Sequence, residues 1–374
     1  MIRANRRELM LGAATLAALP GAARAAGFDT ARYDRTIVID GLTGLDDPDG
    51  TETSIRLSPR AVAQYRQSGV TALGVTVGEV GNERMTWDAT IANIGNYGRI
   101  IAANPELLTL ARSAADIRAA KAAGKIAIVF GTQDTAMVGT DLDRLGILNG
   151  LGVRIVQLTY NLRNQSGDGS LEPGNAGLSK LGHATIERIE AEKQLLDLSH
   201  GGARTIAEAI AAAKRPPMIS HTGCRSLHDN PRNVWDSELK ACADKGGVVG
   251  IYWMPFLVPN SKAMATDLVR HMTHAVNVCG EDHVGIGTDG GLSATVIDAK
   301  AREQQAKFFK ERSARGIAAP GEGADIFNIV ADLDTPMRYR LLADALAAAG
   351  WPAARIDKVL GANLLRLYGD VWGA

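Results

Sequence analysis

The sequence predicts an α/β fold, a (β/α)8 barrel of the TIM type with extra C-terminal helices. Apolar, β-rich runs alternate with segments of helical spacing, and several of these runs are continuously hydrophobic, as expected for parallel strands covered on both faces. An open doubly wound sheet shows the same alternation. However, the strand count stops at eight, and residues 40–44 (DGLTG) lack the glycine-rich dinucleotide pattern. We therefore expect a closed barrel.

The strands and helices are predicted in strict alternation. The predicted strands lie at residues 36–39, 70–77, 125–130, 154–159, 195–199, 217–220, 248–252 and 283–288. The predicted helices lie at 59–67, 115–123, 142–151, 185–192, 206–214, 236–245 and 266–279, with Ser58 and Asp236 as N-caps. A charged helix at 299–312, expected to be solvated, and a surface loop at 316–323 then lead to two more helical segments. We expect residues 26–374 to form one domain, with a helical extension from about residue 295.

Residues 1–25 have the order of a signal peptide. A basic start precedes an apolar run at 9–19, and the segment ends in the small-residue pattern ARA at 23–25. The two arginines at 6–7 favour the twin-arginine route over an ordinary Sec signal that happens to contain them. Because the apolar run is shorter than the roughly 20 residues of a membrane span, we expect no transmembrane segment. The expected location is the periplasm or the extracellular space.

Composition and charge point to a small-molecule partner. The chain holds 41 Lys and Arg and 41 Asp and Glu; residues 1–25 carry four of the arginines and one glutamate, so 37 basic and 40 acidic residues remain without them. A net charge of about −3 with no run of Lys or Arg argues against nucleic acid and anionic membranes. The three cysteines lack CxxC spacing, which favours buried free thiols over one disulfide. A homodimer is left open.

Polar residues stand at the ends of the predicted strands. Chemistry in a (β/α)8 barrel is placed there, because loops from all eight strands converge at the carboxyl ends. The residues at these ends are Asp40, Gln133, Tyr160, Asn161, His200, His221, Tyr252 and Asp289. We expect Gln133 and Asn161 to contact a substrate in this mouth.

His200 and His221 each follow a serine at the end of neighbouring predicted strands, in LLDLSH and PPMISH. Neutral imidazole is the commonest metal ligand, so the pair predicts one metal site rather than separate hydrogen bonds within two loops. Asp289, in GIGTDGG, is a third ligand or the base that activates water; the simpler alternative is a turn aspartate. Arg232, in NPRN, holds a substrate carboxylate or anchors its loop through an ion pair.

An ordered set of segments carries a family resemblance. The segments are GVRIVQLTYN, NAGLSKLG, LLDLSH, ISHTGCR, NPRN, GGVVG, DHVGIGTDGG and LGANLLRLYG. Over residues 36–369 the chain resembles the renal or membrane dipeptidase family. This resemblance implies a barrel of the metallo-dependent hydrolase kind that hydrolyses dipeptides at a two-zinc site with a bridging carboxylate and water. It makes His200 and His221 the two histidines of one zinc. It makes Asp289 the acid/base aspartate and directs Arg232 to the C-terminal carboxylate of the substrate.

The chain departs from the family pattern at the other zinc. The family has Asp-Gly-His-x-Asp where this chain has DGLTG, so Leu42 and Gly44 replace both ligands. The bridging glutamate falls on Gln133, a substrate-facing histidine on Tyr160, and a tyrosine on Met254. Leucine and glycine cannot coordinate zinc, and a neutral amide cannot offset the charge of two adjacent cations. We therefore predict a single zinc ion rather than two.

A single ion held by His200, His221 and Asp289, with water in the fourth position, matches the usual catalytic zinc arrangement. If Asp289 is a ligand, Tyr160 becomes the candidate proton shuttle, although its reference pKa of about 10 would need lowering. The other acidic residues that could substitute for the missing ligands are Asp46, Asp47 and Asp134.

The predicted function is metal-dependent hydrolysis of a dipeptide, or of an amide-like small substrate with a free carboxylate, by an exported protein. One alternative is a mononuclear barrel enzyme with a non-peptide reaction, such as hydrolysis of another amide or a lyase step. The other is a non-catalytic binding homologue. The loss of several site positions favours the latter, whereas the retained histidines favour an enzyme.

Overall fold

The computed structural model describes residues 27–51, 53–78, 80 and 87–373. The signal peptide predicted for residues 1–25 lies outside them. In the part of the chain that is described, none of the helices combines the length and apolar character needed to cross a bilayer.

The described residues form nine parallel strands, and eight of them close into a barrel. The strands are β1 (Ile39–Asp40), β2 (Ala72–Thr76), β3 (Leu108–Leu110), β4 (Ile126–Thr132), β5 (Val153–Gln157), β6 (Leu195–Asp197), β7 (Met218–Thr222), β8 (Val248–Ile251) and β9 (Val284–Ile286). Their order around the ring is β2-β1-β9-β8-β7-β6-β5-β4, and pairing of β2 with β4 closes it. The predicted barrel is confirmed, and each of the eight predicted strands corresponds to one strand of the ring.

The ninth strand, β3, lies outside the ring and was not predicted. It pairs with β4 at residues 126–128, whereas β5 pairs with β4 further along, at residues 130–132, with a register shift between Phe130 and Gly131. One edge of β4 is therefore shared between β3 and β5. A three-residue strand offers too short a pattern for the sequence to reveal it.

Helices alternate with the strands and then form the C-terminal extension. They are α1 (Thr30–Arg35), α2 (Pro59–Ser68), α3 (Trp87–Ala103), α4 (Ala114–Ala122), α5 (Asp143–Gly150), α6 (Lys180–Ala191), α7 (Ala203–Ala212), α8 (Asp236–Asp244), α9 (Ala265–Cys279), α10 (Ala299–Ala314), α11 (Arg338–Ala348), α12 (Ala353–Asp357) and α13 (Asn363–Trp372), with a π-helical turn at Lys358–Ala362 before the last. Helix α3 was not predicted from the sequence; it contains Gly95 and Gly98, and its buried residues are Thr90 and Ile94.

The helix N-caps show one prediction confirmed and one wrong. The Ser58 hydroxyl accepts the N–H of Ala61, as predicted for α2. Asp236 was predicted to cap α8, but Trp235 is the N-cap and Asp236 is the first helical residue. The Asp236 carboxylate instead lies 2.9 Å from Nε2 of His274, so this contact between α8 and α9 replaces the cap. The three cysteines are free, as predicted; Cys224 and Cys242 are buried as expected, whereas Cys279 is only partly buried.

The C-terminal helix closes one end of the barrel. One hydrophobic cluster joins residues at the starts of the strands, including Ile39, Leu195 and Met218, to Leu364 and Tyr368 of α13. These side chains are almost fully buried. Because α13 covers the amino-terminal ends of the strands, the loops at their carboxyl ends are left to form the site.

Replacement by alanine should have opposite effects on the stability of the protein at Gly74, where two strands approach closely, and at Gly98, where there is open space. A Cβ at Gly74 of β2 would lie 2.2 Å from the carbonyl oxygen of Gly41, whereas a Cβ at Gly98 of α3 meets nothing within 4 Å. Gly74→Ala should lower the free energy of unfolding by about 2 kcal/mol or more. Gly98→Ala should raise it by about 0.5–1 kcal/mol. Urea denaturation followed by circular dichroism measures both, and equal stability of the two variants would contradict the packing described.

Candidate metal centre

Three strand ends bring the predicted ligands together. His200 lies three residues beyond β6, His221 lies within β7, and Asp289 lies three residues beyond β9. Ligand atoms of the three side chains all lie within 4.8 Å of one another. Both histidines are almost fully buried, and their rings meet edge to face with centroids 4.8 Å apart. The arrangement has the size and donor set of a site for one metal ion.

The backbone at two of these residues is unusual. His200 has φ 63° and Asp289 has φ 56°, a left-handed conformation that residues other than glycine adopt only at a cost. The Asp289 N–H donates to the carbonyl oxygen of Leu42 at 2.9 Å, which ties the loop after β9 to the loop after β1. Such conformations cluster at functional sites, where the surrounding structure holds them in place.

A buried aspartate organises His221. Asp197, at the end of β6, accepts the N–H groups of Ser199 and Ser220 at 3.0 and 2.9 Å, and it also accepts the Ser220 hydroxyl. Because the Ser220 hydroxyl donates to Asp197, its oxygen accepts the Nδ1–H of His221 at 2.7 Å. The Ser199 hydroxyl oxygen in turn accepts the His221 backbone N–H at 3.0 Å.

A buried asparagine organises His200 in the same way. The Asn161 amide nitrogen donates to the carbonyl oxygen of Ile317 at 2.7 Å, so its amide oxygen faces Nδ1 of His200 at 2.6 Å. An amide oxygen accepts hydrogen bonds and cannot donate them, which places the proton of His200 on Nδ1. The sequence predicted that Asn161 contacts a substrate, but both ends of its amide are occupied within the protein.

The free nitrogens of both imidazoles are left without partners. Nε2 of His200 and Nε2 of His221 are buried and accept no hydrogen bond. Burial, together with the positive charge of Arg232, lowers the pKa of both histidines well below the ordinary value, so the rings stay neutral. Two neutral, buried and unpartnered imidazole nitrogens facing one carboxylate fit a zinc ion.

The residues around the site do not fit a second ion. Leu42 is buried, and Gly44 supplies only its backbone N–H, which donates to the carbonyl oxygen of Gly290 at 2.6 Å. The amide nitrogen of Gln133 donates to the hydroxyl of Thr76 at 2.8 Å. No carboxylate or imidazole replaces the missing ligands among these three residues, so they offer no donor set for a second ion.

The three aspartates considered as substitute ligands are held elsewhere. Asp46 accepts backbone N–H groups from the loop after β9. Asp47 accepts the N–H and the hydroxyl of Ser58 at the start of α2. Asp134 accepts the amide nitrogen of Asn164 at 2.6 Å. In the described part of the chain they do not join the group of potential ligands formed by the two histidines and Asp289.

Arg232 is buried beside the histidines with an unpaired nitrogen. Its side chain lies over the ring of Tyr252, with the guanidinium carbon 5.9 Å from the centroid, and Nη2 has no hydrogen-bond partner. Among the described residues, this nitrogen makes no ion pair that would anchor the loop, which was the alternative left open by the sequence. Burial lowers the pKa of Arg232, and the nearby Asp289 opposes that shift. A buried guanidinium with an unpaired nitrogen can accommodate a carboxylate.

Asp289 has the properties of an acid/base group. It is half-buried, and burial raises its pKa to about 6, against the opposing charges of Arg232 and Arg312. A carboxyl group of this kind can take up and release a proton near neutral pH.

Tyr160 is stacked on His200, with ring centroids 4.0 Å apart. Nη1 of Arg312 donates to the Tyr160 hydroxyl oxygen at 3.1 Å. Burial raises the pKa of Tyr160, in the direction opposite to the lowering that a proton shuttle would need. The phenol therefore stays protonated, and its own O–H remains a hydrogen-bond donor. Arg312 was not predicted at the site, because the sequence of its helix is highly charged and predicted a solvent-exposed helix.

The comparisons with known proteins agree with this geometry. The sequence profile of the membrane dipeptidase family, peptidase family M19, matches residues 60–320. The chain belongs to this family. The family and its dipeptidase members establish a metal-dependent, dipeptidase-like hydrolase and imply a metal cofactor.

Individual relatives of the chain cover different parts of it. An amidohydrolase of known structure from Pseudomonas aeruginosa is 31% identical and superposes with a TM-score of 0.78, over 92% of this chain and 99% of that one. An uncharacterised protein in the pqqA 5′ region of Klebsiella pneumoniae is 29% identical over 288 residues, 73% of this chain and 93% of that protein. An uncharacterised dipeptidase of Schizosaccharomyces pombe is 35% identical over 173 residues, 44% of this chain and 42% of the relative.

The geometry predicts one zinc ion per chain. Zinc titration followed by native mass spectrometry should give a single ion in the wild-type protein. His200→Ala and His221→Ala should each weaken zinc binding by more than about 100-fold, beyond the loss typical of residues that only support a ligand. His183→Ala, on the exposed surface of α6, is the matched control and should bind zinc normally. Two ions per wild-type chain would contradict the single-ion site.

Proposed function

We propose that this membrane dipeptidase family member is a mononuclear metallohydrolase that cleaves a dipeptide, or an amide-like small substrate with a free carboxylate. The observation that carries the proposal is the pair of buried, unpartnered Nε2 atoms of His200 and His221 beside the Asp289 carboxylate. Unsatisfied polar atoms are costly in a protein interior, so a site that keeps two of them together needs a ligand. The unpaired Nη2 belongs to the buried Arg232, whose positive charge acts on both histidines.

The chain would hold one zinc ion through three protein ligands, His200, His221 and one carboxylate oxygen of Asp289. Zinc at such a site acidifies water and polarises a carbonyl group. The second carboxylate oxygen of Asp289 stays available to accept the proton of the attacking water and to return it to the departing amine nitrogen. Asp289 would thereby serve both as a metal ligand and as the acid/base group, the two roles that the sequence left as alternatives.

Three further side chains would position the substrate. Arg232 binds the substrate carboxylate through its unpaired Nη2. Tyr160 donates its O–H to the oxyanion that develops on the scissile carbonyl, because Arg312 already donates to its oxygen. Gln133 uses its amide nitrogen on Thr76, which leaves its amide oxygen to accept a substrate N–H. We assign Asn161 to His200 rather than to substrate.

The role of Arg232 predicts a defect that depends on the substrate. Arg232→Met should raise KM for a free dipeptide by about 10- to 100-fold, the loss expected when a charged hydrogen bond is removed. Hydrolysis of the matching dipeptide amide, which lacks the carboxylate, should be slow in the wild type and unchanged by the substitution. Steady-state kinetics with both substrates measures this, and Arg225→Lys, a partly exposed residue of the same loop that pairs with Asp229, is the control.

Turnover with and without zinc separates the proposed function from its alternatives. The zinc-loaded protein should hydrolyse dipeptides, and removal of the ion with a chelator should abolish the activity until zinc is restored. Cleavage of other amides without cleavage of dipeptides would favour a different amidohydrolase reaction. Zinc binding without turnover of either class would favour a binding homologue.

We also propose that the protein is exported by the twin-arginine route, on the basis of the order of residues 1–25. Replacement of the two arginines at 6–7 by lysine should retain the protein in the cytoplasm. Cell fractionation and immunoblotting measure the distribution. Export of the double variant at the wild-type level would favour the Sec route.

A further inference from the structure

A segment outside the eight-strand ring reaches the site from the C-terminal extension. It comprises residues 312–322, from the last turn of α10 into the following loop, and we name it the clamp segment. We propose that the clamp segment positions His200 for metal binding and that Arg312 is its positioning residue. The inference rests on the proposed function, because it assigns His200 the role of a metal ligand.

The first connection passes through Asn161. The carbonyl oxygen of Ile317, in the clamp segment, accepts the amide nitrogen of Asn161 at 2.7 Å. This contact turns the amide oxygen of Asn161 towards Nδ1 of His200, 2.6 Å away. If the amide were free to rotate, its nitrogen could face Nδ1 instead and stabilise the other tautomer, which carries its proton on Nε2. The Ile317 carbonyl thus selects the tautomer whose Nε2 lone pair is available for an ion.

The second connection passes through Tyr160. Nη1 of Arg312 donates to the Tyr160 hydroxyl oxygen at 3.1 Å. The Tyr160 ring stacks on the His200 ring, with centroids 4.0 Å apart and planes inclined by 25°. Arg312 therefore fixes the position of a ring that lies flat against the ligand imidazole, which limits rotation of His200 about its side-chain bonds.

Arg312 joins the two connections. Its Nη2 donates to the same Ile317 carbonyl oxygen at 3.1 Å, while its Nη1 contacts Tyr160. A single guanidinium can make both contacts because its donors lie in a rigid plane. A lysine ammonium has no such planar fork. Arg312→Lys therefore keeps the positive charge but cannot contact Tyr160 and the Ile317 carbonyl oxygen at the same time.

Glu322 anchors Arg312 and neutralises its charge. Nε and Nη2 of Arg312 contact the two carboxylate oxygens at 2.6 and 2.8 Å, and the two side chains are only 12% and 5% exposed. A paired guanidinium is poorly suited to bind a substrate anion, unlike the unpaired Arg232. Arg312 therefore acts through the residues that it orients.

The rest of α10 makes little contribution to this attachment. The helix has no buried residue over its 16 positions. Within the clamp segment, Ile317 and Ala319 are buried, and the carbonyl oxygen of Pro320 accepts the amide nitrogen of Asn230 at 2.7 Å. These contacts attach the segment to the barrel, whereas its contacts with Tyr160 and Asn161 reach the two residues that touch His200. The latter contacts indicate a positioning role in addition to attachment.

The test compares zinc affinity and histidine tautomers in the full chain. Arg312→Lys should weaken zinc binding by about 10- to 100-fold, as expected for a group that orients a ligand. In the metal-free protein, nitrogen-15 NMR should show a single His200 tautomer with its proton on Nδ1 in the wild type and a mixture in the variant. Arg302→Lys, on the exposed face of the same helix, should change neither measurement.

Two further variants address coupling and folding. Asn161→Leu should produce a similar loss, and combining it with Arg312→Lys should give less than the sum of the two losses, since both act on His200. The double variant Arg312→Met with Glu322→Leu removes the buried ion pair as a unit and leaves no uncompensated charge. It should retain the fold, measured by circular dichroism, and show the same loss of zinc affinity.

The outcomes distinguish this inference from the proposed function. If His200→Ala abolishes zinc binding while Arg312→Lys and the double variant bind zinc normally and keep the wild-type tautomer, the positioning role is overturned and the proposed function stands. If His200→Ala binds zinc as tightly as the wild type, the proposed function fails, whatever Arg312→Lys shows.

Discussion

The site depends on the buried carboxylate of Asp197. Two backbone N–H groups and one hydroxyl donate to it from the ends of two adjacent strands. Each histidine follows a serine that donates to this carboxylate, and Ser220 also links the carboxylate to the imidazole of His221. Their hydroxyl groups lie 3.1 Å apart and relay the orientation from Asp197 to His221. The ligand geometry is therefore built into the strand ends before any ion binds.

Charge balance explains why the departures from the family pattern occur together. Two adjacent divalent ions need a bridging carboxylate to offset their repulsion. In this chain Gln133 is neutral, and Leu42 and Gly44 supply neither ligands nor charge. The mouth also buries Arg232, whose guanidinium has no carboxylate partner in the described protein. A second cation would enter an already positive environment, whereas a single ion beside Asp289 leaves the site able to attract a substrate carboxylate.

The sequence predicted the features that depend on local pattern. The eight ring strands and the clustering of His200, His221 and Asp289 followed from apolar runs and from polar residues at their ends, because a closed parallel barrel places all those ends at one mouth. The roles of Asn161 and Arg312 were not accessible in this way. Asn161 contacts Ile317 across 156 positions of the chain, and no periodicity encodes such a pair. Helix α3, with two glycines and few buried residues, likewise gave a weak pattern.

The C-terminal extension has a different function at each end of the barrel. At the amino-terminal ends of the strands, α13 contributes apolar side chains to the core, so its removal would expose a hydrophobic cluster. At the carboxyl ends, residues 312–322 bury Ile317 and Ala319 and also make hydrogen bonds to Tyr160 and Asn161, the two residues that touch His200. The barrel itself brings His200, His221 and Asp289 together, because the strands that carry or precede them end at the same mouth. The extension orients the amide of Asn161 and the ring of Tyr160 against His200, and in the proposed function these contacts decide which nitrogen of His200 faces the ion.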